Sequence, residues 1–494
     1  MDMKRKTRTE CHKISKWNLL WLLGGSMFFA GCGSRSPERI EVSIVESALE
    51  SEDSLQTKGI LVIDALEGTE ESIDKEQFEG LSVQQETVTE TGLESETESS
   101  AEETGVCSAA PEVTAWADLT KEQIEVINTA TWSNPASGCY DVLSVSDLTR
   151  EEVQNWILSA PFPEGSWCNG HALTPEEQSA IEANRNLDAI PEKVSVQYGI
   201  LTDNADVRIF PTDAVLQTEV SPQAFDYMQE SLFLIGEMVA VLHTSADGTY
   251  VYVIGGNDKG WIARDCVGLT EHGVLQQWQE GLRHPAVVIE PYVKVEGLHT
   301  FRMGTAFPLL EKNDTTMRIS YPVNRDGRLE LTEMVLPVEN DISDGYLPYT
   351  YEAAAQRMQQ MVGAAYGWGD VHLNYDCSST VGAVYRCFGI FLPRNTGNMA
   401  ATGAVVISLE QMGTETRDGL IRSLPAGSLL LMKGHVAMYM GIVNGEPRIA
   451  HTVSRYSGDG ANLMDIYSCV ETSLYIYTDS LKPYEETLTY VISF

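Results

Sequence analysis

Positive charge is scarce in this chain. Only 33 Lys and Arg side chains stand against 71 Asp and Glu, a formal charge of −38 over 494 residues. Binding to phosphate backbones needs clustered cations, so nucleic acid is excluded as a partner. Long apolar runs are scarce too: Trp17 to Phe29 is too short for a comfortable bilayer span. No His-Glu-x-x-His helix, phosphate loop or dinucleotide fingerprint occurs, and nothing calls for a cofactor or a metal. Cys168-x-x-His171 is a two-ligand fragment, too little for a metal site. From Glu41 to Gly105 aromatics are nearly absent. There, 19 acidic side chains face two lysines, about 17 excess negative charges. Such a stretch cannot bury enough apolar surface to offset the entropy of ordering, so a solvated, self-repelling tether is expected. Ile60-Leu61-Val62-Ile63 is its one apolar exception.

What is present at the beginning reads as an export address. Lys4, Arg5, Lys6, Arg8, Lys13 and Lys16 precede the short apolar run. Phe29-Ala30-Gly31-Cys32 resembles a lipoprotein signal-peptidase site, which implies lipid on Cys32 and an extracytoplasmic protein anchored to the membrane or envelope. Phe29 stands where leucine is commoner, and an ordinary secretory signal with an incidental cysteine is the alternative. Outside the cytoplasm, Cys107, Cys139, Cys168, Cys266 and Cys469 could form disulfides, with no connectivity readable from spacing.

The chemistry concentrates further on. Asp376 is a good N-cap residue, and Val381, Val384, Tyr385 and Phe388 follow at helical spacing until Gly389 and Pro393 end the run. Cys377 therefore sits at the positive end of a helix dipole, where a thiol ionises more readily. Cys387, at the far end, reads as packing. About sixty residues on, His435 opens a strand-like run in which His435, Ala437 and Tyr439 share one face. Thiol and imidazole are the two halves of a cysteine nucleophile and its base. Asn444-Gly445 is a hairpin signal, and the return strand carries His451, a candidate third member that would orient His435. Parity sets a condition. A two-residue turn alone puts the two histidines on opposite faces, so an odd loop or a bulge is required, and Pro447 makes one plausible nearby.

Tyr366-Gly367-Trp368-Gly369, Asp376-Cys377-Ser378-Ser379, Phe388-Gly389-Ile390, Leu392-Pro393-Arg394-Asn395-Thr396 and Gly434-His435-Val436 follow in order over about 100 residues. In that order and spacing the chain resembles the NlpC-type family, papain-like cysteine peptidases of bacterial cell walls. Carried over residue by residue, the resemblance puts the nucleophile on Cys377, the base on His435 and the third polar residue on His451. It implies cleavage of the γ-D-glutamyl to diamino-acid bond in peptidoglycan stem peptides or muropeptides. Two departures stand out: Ser379 where the family often has glycine, and Asp370 where it often has a second glycine.

Asp206-Val207-Arg208, Phe210-Pro211-Thr212, Leu242 to Gly248 and Gly260-Trp261 look like the bacterial SH3-like domain of the γ-D-glutamyl-L-diamino acid endopeptidase subgroup. In that subgroup the domain closes one end of the cleft. The resemblance implies that Asp376 binds the free amino group of an N-terminal L-alanine, with Glu230 as a second carboxylate and Thr396 as a substrate-contacting hydroxyl. Tyr366 and Trp368 are candidate cleft walls. Three capping-box helix starts, at Thr120, Thr149 and Thr174, mark a helical region upstream.

The expected architecture is multidomain α+β: a papain-like catalytic domain preceded by two small SH3-like β-barrels and a helical N-terminal extension. The expected boundaries are a signal peptide at 1–31, the tether at 32–108, helices at 109–193, SH3-like domains at 194–272 and 273–347, and the peptidase at 348–494. Two other readings stay open: a non-catalytic wall-binding lipoprotein, and an amidase or transpeptidase using the same dyad.

Overall fold

The computed structural model describes residues 118–295, 299–339 and 341–494. The signal-peptide and tether readings, Cys32 and Cys107 lie outside the described residues. Three helices come first, α1 (Lys121–Ser133), α2 (Arg150–Ser159) and α3 (Pro175–Ala183). Each starts on a Thr whose hydroxyl accepts from the backbone three residues on, while Gln123, Glu152 or Glu177 reaches back to the cap. Those reciprocal bonds satisfy amide groups that the first turn leaves orphaned.

The β-rich middle begins with β1 (Gln197–Leu201), β2 (Ala205–Arg208), β3 (Gln229–Phe233), β4 (Met238–Thr244), β5 (Tyr250–Ile254), β6 (Lys259–Ala263) and β7 (Val267–Thr270). Helix α4 (His272–Gly281) leads to β8 (Pro285–Val288), β9 (Tyr292–Lys294), β10 (Thr300–Arg302), β11 (Ala306–Lys312), β12 (Thr316–Arg325), β13 (Arg328–Pro337) and β14 (Ile342–Asp344). Twelve strands join in the order β14-β8-β11-β12-β13-β7-β1-β4-β5-β6-β2-β3. The two modules meet where β7 runs parallel to β13, Leu269 opposite Arg328.

Strand alternation explains why the first module has two cores. Val239, Val241, Val251 and Val253 point into its own interior with Val207, Phe233 and Ile262. Ala240, Leu242, Tyr252 and Ile254 point the other way, onto Val153 and Ile157 of α2 and the core of the second module.

The C-terminal part holds α5 (Tyr351–Met361), α6 (Cys377–Arg386) and α7 (Thr396–Met399), followed by a six-stranded sheet. Its strands are β15 (Val405–Ser408), β16 (Leu429–Met432), β17 (His435–Val443), β18 (Glu446–Ser457), β19 (Leu463–Ser473) and β20 (Leu488–Ser493), in the order β15-β20-β16-β17-β18-β19. One face (Leu429, Leu431, Val436, Met438) packs on Met358 of α5 and on Val381, Val384 and Tyr385 of α6. The other (Leu430, Ala437, Tyr439, Ile449) packs on Leu420 and Ile421 of the helix Thr414–Ser423.

The possible disulfides are absent among the described residues. Cys139, Cys168, Cys266 and Cys469 are all free thiols. Cys168, Cys266 and Cys469 are dispersed over three different apolar cores, so no bridge can form among them without moving backbone. Cys168 instead faces His171 across a two-strand ladder, and His171 pairs with Glu177 at 2.7 Å. Among the described residues no cluster of ligands could hold a metal, and no helix is long and apolar enough to cross a membrane.

Candidate active site

The hairpin between β17 and β18 turns on two residues, Asn444 and Gly445, both with positive φ, the geometry that matches strand twist. The parity condition is met by a bulge. Met438 faces Ala450 and Tyr439 faces Ile449, but Gly441 faces Arg448, so Met440 is the extra residue. Gly441, at φ +91°, takes the left-handed backbone that the bulge requires. The bulge thus lies opposite the expected strand: Pro447 pairs regularly with Ile442. One step on in that register, His451 is level with Ala437, on the same face as His435.

The two rings meet. His435 Nε2 and His451 Nδ1 are 2.9 Å apart, and His451 Nε2 lies 3.4 Å from the Thr472 hydroxyl on β19. If His435 donates from Nε2, His451 accepts at Nδ1 and offers its own proton toward Thr472. His435 Nδ1 then has no hydrogen-bond partner among the described residues. Tyr484 presents its ring edgewise to both imidazoles, with centroids 5.8 and 5.5 Å away. Thr472 and Tyr484 carry no sequence signal, because only the register of β18 on β19 and the short helix Tyr484–Thr487 bring them here.

Cys377 is the first residue of α6, capped by Asp376. The backbone N–H of Val436, the residue after His435, lies at the sulfur together with that of Ser378. Among the described residues no direct hydrogen bond joins thiol to ring. The expectation of a depressed thiol pKa is corrected. Burial, and then the Asp376 carboxylate, push the Cys377 thiol up to about 12, against the pull of those two N–H groups and of Arg394. Burial likewise pushes the His435 imidazole down to about 4, and His451 is held well below its usual range by burial and by His435. The helix dipole is real but smaller than the cost of desolvation. The resting pair is neutral thiol and neutral imidazole.

Asp376 is more firmly engaged than its sequence position indicates. Its Oδ2 accepts from Arg394 Nη2 at 2.7 Å; Oδ1 accepts from the Ser379 N–H at 2.9 Å and the Ser378 hydroxyl at 3.0 Å. Burial pushes this carboxyl up, but Arg394 more than offsets it and holds the group below its usual range. Arg394, 8% exposed, also donates to Ser231 Oγ at 2.7 Å and to the Glu230 carbonyl at 3.3 Å, tying β3 of the first module to the cap of α6. The Glu230 carboxyl is raised by burial, with Arg394 working against it. Thr396 begins α7, half-buried, and its hydroxyl has no partner among the described residues.

Trp368 is 46% exposed and stacks on Phe225 of the first module at 6.1 Å; Tyr366 lies 5.7 Å from the same ring. The Trp368 N–H donates to the Ala224 carbonyl. Next to it, Gly369 sits so close to Gln229 that a Cβ would lie 2.8 Å from the Gln229 carbonyl oxygen. The first module and the loop before α6 therefore share one aromatic wall.

Comparison with known proteins bears on this arrangement. Residues 363–464 match the NlpC/P60 family model, and residues 218–263 match that of the SH3 domain, SH3b1 type. Among solved structures, an NlpC/P60 endopeptidase from Photobacterium damselae subsp. piscicida is 17% identical at a TM-score of 0.60, over 76% of this chain and 94% of that one. An NlpC/P60 family protein from Bacillus cereus ATCC 10987 is 16% identical at a TM-score of 0.40, over 60% of this chain and 98% of that one. No curated protein matches. The likeness to the Photobacterium protein is one of fold. The chain carries a papain-like NlpC/P60 domain behind a bacterial SH3 domain. That pairing supports a peptidoglycan hydrolase of the cysteine peptidase or amidase kind, acting outside the cytoplasm.

Proposed function

We propose that this protein is a cysteine endopeptidase that hydrolyses the γ-D-glutamyl to diamino-acid bond of peptidoglycan stem peptides, and that it prefers peptides whose L-alanine amino group is free. The observation that carries the reading is the 2.9 Å bond from His435 Nε2 to His451 Nδ1, which leaves Nδ1 open on the strand whose next residue reaches the Cys377 sulfur. In this reading Cys377 attacks the γ-glutamyl carbonyl as His435 Nδ1 takes its proton. The Cys377 N–H at the helix start, unpaired among the described residues, helps hold the oxyanion. His435 then protonates the leaving amine of the diamino acid, giving a thioester on Cys377. A water, deprotonated by His435, attacks that thioester; the γ-glutamyl acid leaves and the thiol is reprotonated.

Because the resting pair is neutral, proton transfer accompanies attack rather than preceding it. Arg394 already neutralises Asp376, so the carboxylate assigned to the substrate ammonium is Glu230, with Thr396, Tyr366 and Trp368 along the cleft. The domain boundaries given above belong to the proposal, as does anchoring through lipid on Cys32, with the acidic tether spacing the folded part from the surface.

The test is incubation with L-Ala-γ-D-Glu-diaminopimelate, read by product mass. Unchanged peptide with wild type, or full turnover by Cys377→Ala, rejects the reading and leaves a wall-binding module. N-acetylation of the alanine should cost at least tenfold in kcat/KM, and Glu230→Gln should abolish most of that difference.

A further inference from the structure

The two positions that depart from the family pattern touch each other. Asp370 Oδ1 accepts the Ser379 hydroxyl and, at 3.2 Å, the backbone N–H of Asp376. Its Oδ2 accepts from Arg302 Nη1 at 3.2 Å. Arg302 is the last residue of β10, in the second β-module, 3% exposed, with its guanidinium 3.8 Å above the Tyr375 ring. Asp370 also stands 3.9 Å from Arg394, which binds Asp376. Two cations and two anions thus form one buried, charge-balanced group at the start of α6. Asp370 has φ +68°, a left-handed backbone that favours glycine, so an aspartate there needs a compensating contact. Without Asp370, Arg302 would be a buried cation lacking its carboxylate.

We infer that Arg302, Asp370 and Ser379 are one positioning device, by which the second SH3-like module fixes the cap of the nucleophile helix and balances the charge beside the Cys377 thiol. These residues touch no substrate; they act through Asp376. The charged and titratable groups around the thiol are Asp376 and Arg394, Tyr366 and Tyr484, and His435, whose neighbour Val436 reaches the sulfur. Removing Arg302 alone leaves the buried group one negative charge in excess, which disfavours the thiolate. Removing the Asp370 charge alone leaves an excess positive charge, which favours it. The kinetic consequence rests on reading Cys377 as the nucleophile, but the electrostatic one does not.

The experiment uses the full chain and measures iodoacetamide alkylation of Cys377 between pH 7 and 10, with folding checked by thermal melts. Arg302→Met should slow alkylation at fixed pH roughly five- to tenfold, and Asp370→Asn should speed it by a similar factor. The combined Arg302→Met, Asp370→Gly, Ser379→Gly variant removes the whole device without net charge and should return the rate to within about twofold of wild type. If Arg302→Met does not fold, Arg302→Lys keeps the charge and should hold the wild-type alkylation rate while lowering kcat. Both single variants slower, or neither changed, overturns the inference. Alkylation reads the device even if wild type leaves the peptide uncut, and in that case the proposed function fails while this inference stands.

Discussion

Replacing His451 by alanine isolates the contact on which the catalytic reading depends. In the native site His435 Nε2 has a single hydrogen-bond partner among the described residues, His451 Nδ1 at 2.9 Å. Both rings are buried, so the variant leaves the His435 N–H without an acceptor in a poorly solvated place, a cost of about 1–3 kcal/mol. The ring can escape that cost by moving its proton to Nδ1, the nitrogen that has to accept from Cys377. Either way the competent tautomer becomes rarer. At 1.36 kcal/mol per decade, kcat/KM should fall about 5- to 150-fold. The assay is release of diaminopimelate from L-Ala-γ-D-Glu-diaminopimelate, followed by mass. His451→Asn, which keeps an acceptor oxygen, should recover at least a third of the lost activation free energy. An alanine variant within twofold of wild type would refute the orienting role.

The pH dependence follows from the neutral pair. His435 is pushed down to about 4, so kcat/KM should be flat from about pH 5.5 to 8 and fall with unit slope below about pH 4; a fall beginning at pH 7 contradicts this. Both imidazoles sit below their unfolded value near 6.5, so the unfolded chain binds more protons beneath that pH. Their contribution to stability is full above pH 6.5 and is lost as pH drops toward 4, visible as a falling Tm; no change in Tm between pH 7 and 5 is the opposing result. Arg394→Leu strands the buried Asp376 carboxylate and should cost about 3–5 kcal/mol by denaturant unfolding, with faster amide exchange in β3.

How much of this is legible in the sequence depends on how local each feature is. The three capping boxes and the apolar stripe of α6 are local, and the residues that carry them are few: Thr120, Thr149, Thr174, then Val381, Val384, Tyr385 and Phe388. Turn chemistry at Asn444-Gly445 is local too, and parity arithmetic demands a bulge. Nothing in the one-dimensional pattern says which strand takes it, because Gly441 can be read as an ordinary strand glycine and Pro447 is the louder signal. The thiol pKa is misjudged for a different reason. The dipole belongs to the helix and can be read from its cap. Burial belongs to the assembled domains, and the β-modules covering the site are distant in sequence. Arg302 shows the same limit, 68 positions before Asp370 and with no periodic neighbour to announce it.

The protonated resting thiol has a consequence for where such an enzyme can work. Oxidation and alkylation of cysteine follow thiolate character and access. An extracytoplasmic protein has no reducing pool to repair its nucleophile, so a thiol that ionises freely at rest would be lost steadily to sulfenic acid or mixed disulfides. Cys377 with its pKa near 12 is almost wholly protonated at neutral pH. Its reactivity has to come from what the substrate brings: a carbonyl positioned for attack, an oxyanion to be held by the helix start, and, in the proposed mode, an ammonium beside Glu230 whose positive charge favours the thiolate. Each of these is present only with peptide bound. The desolvation that opposes ionisation in the empty site is therefore compatible with catalysis, because the compensating charge arrives with the substrate.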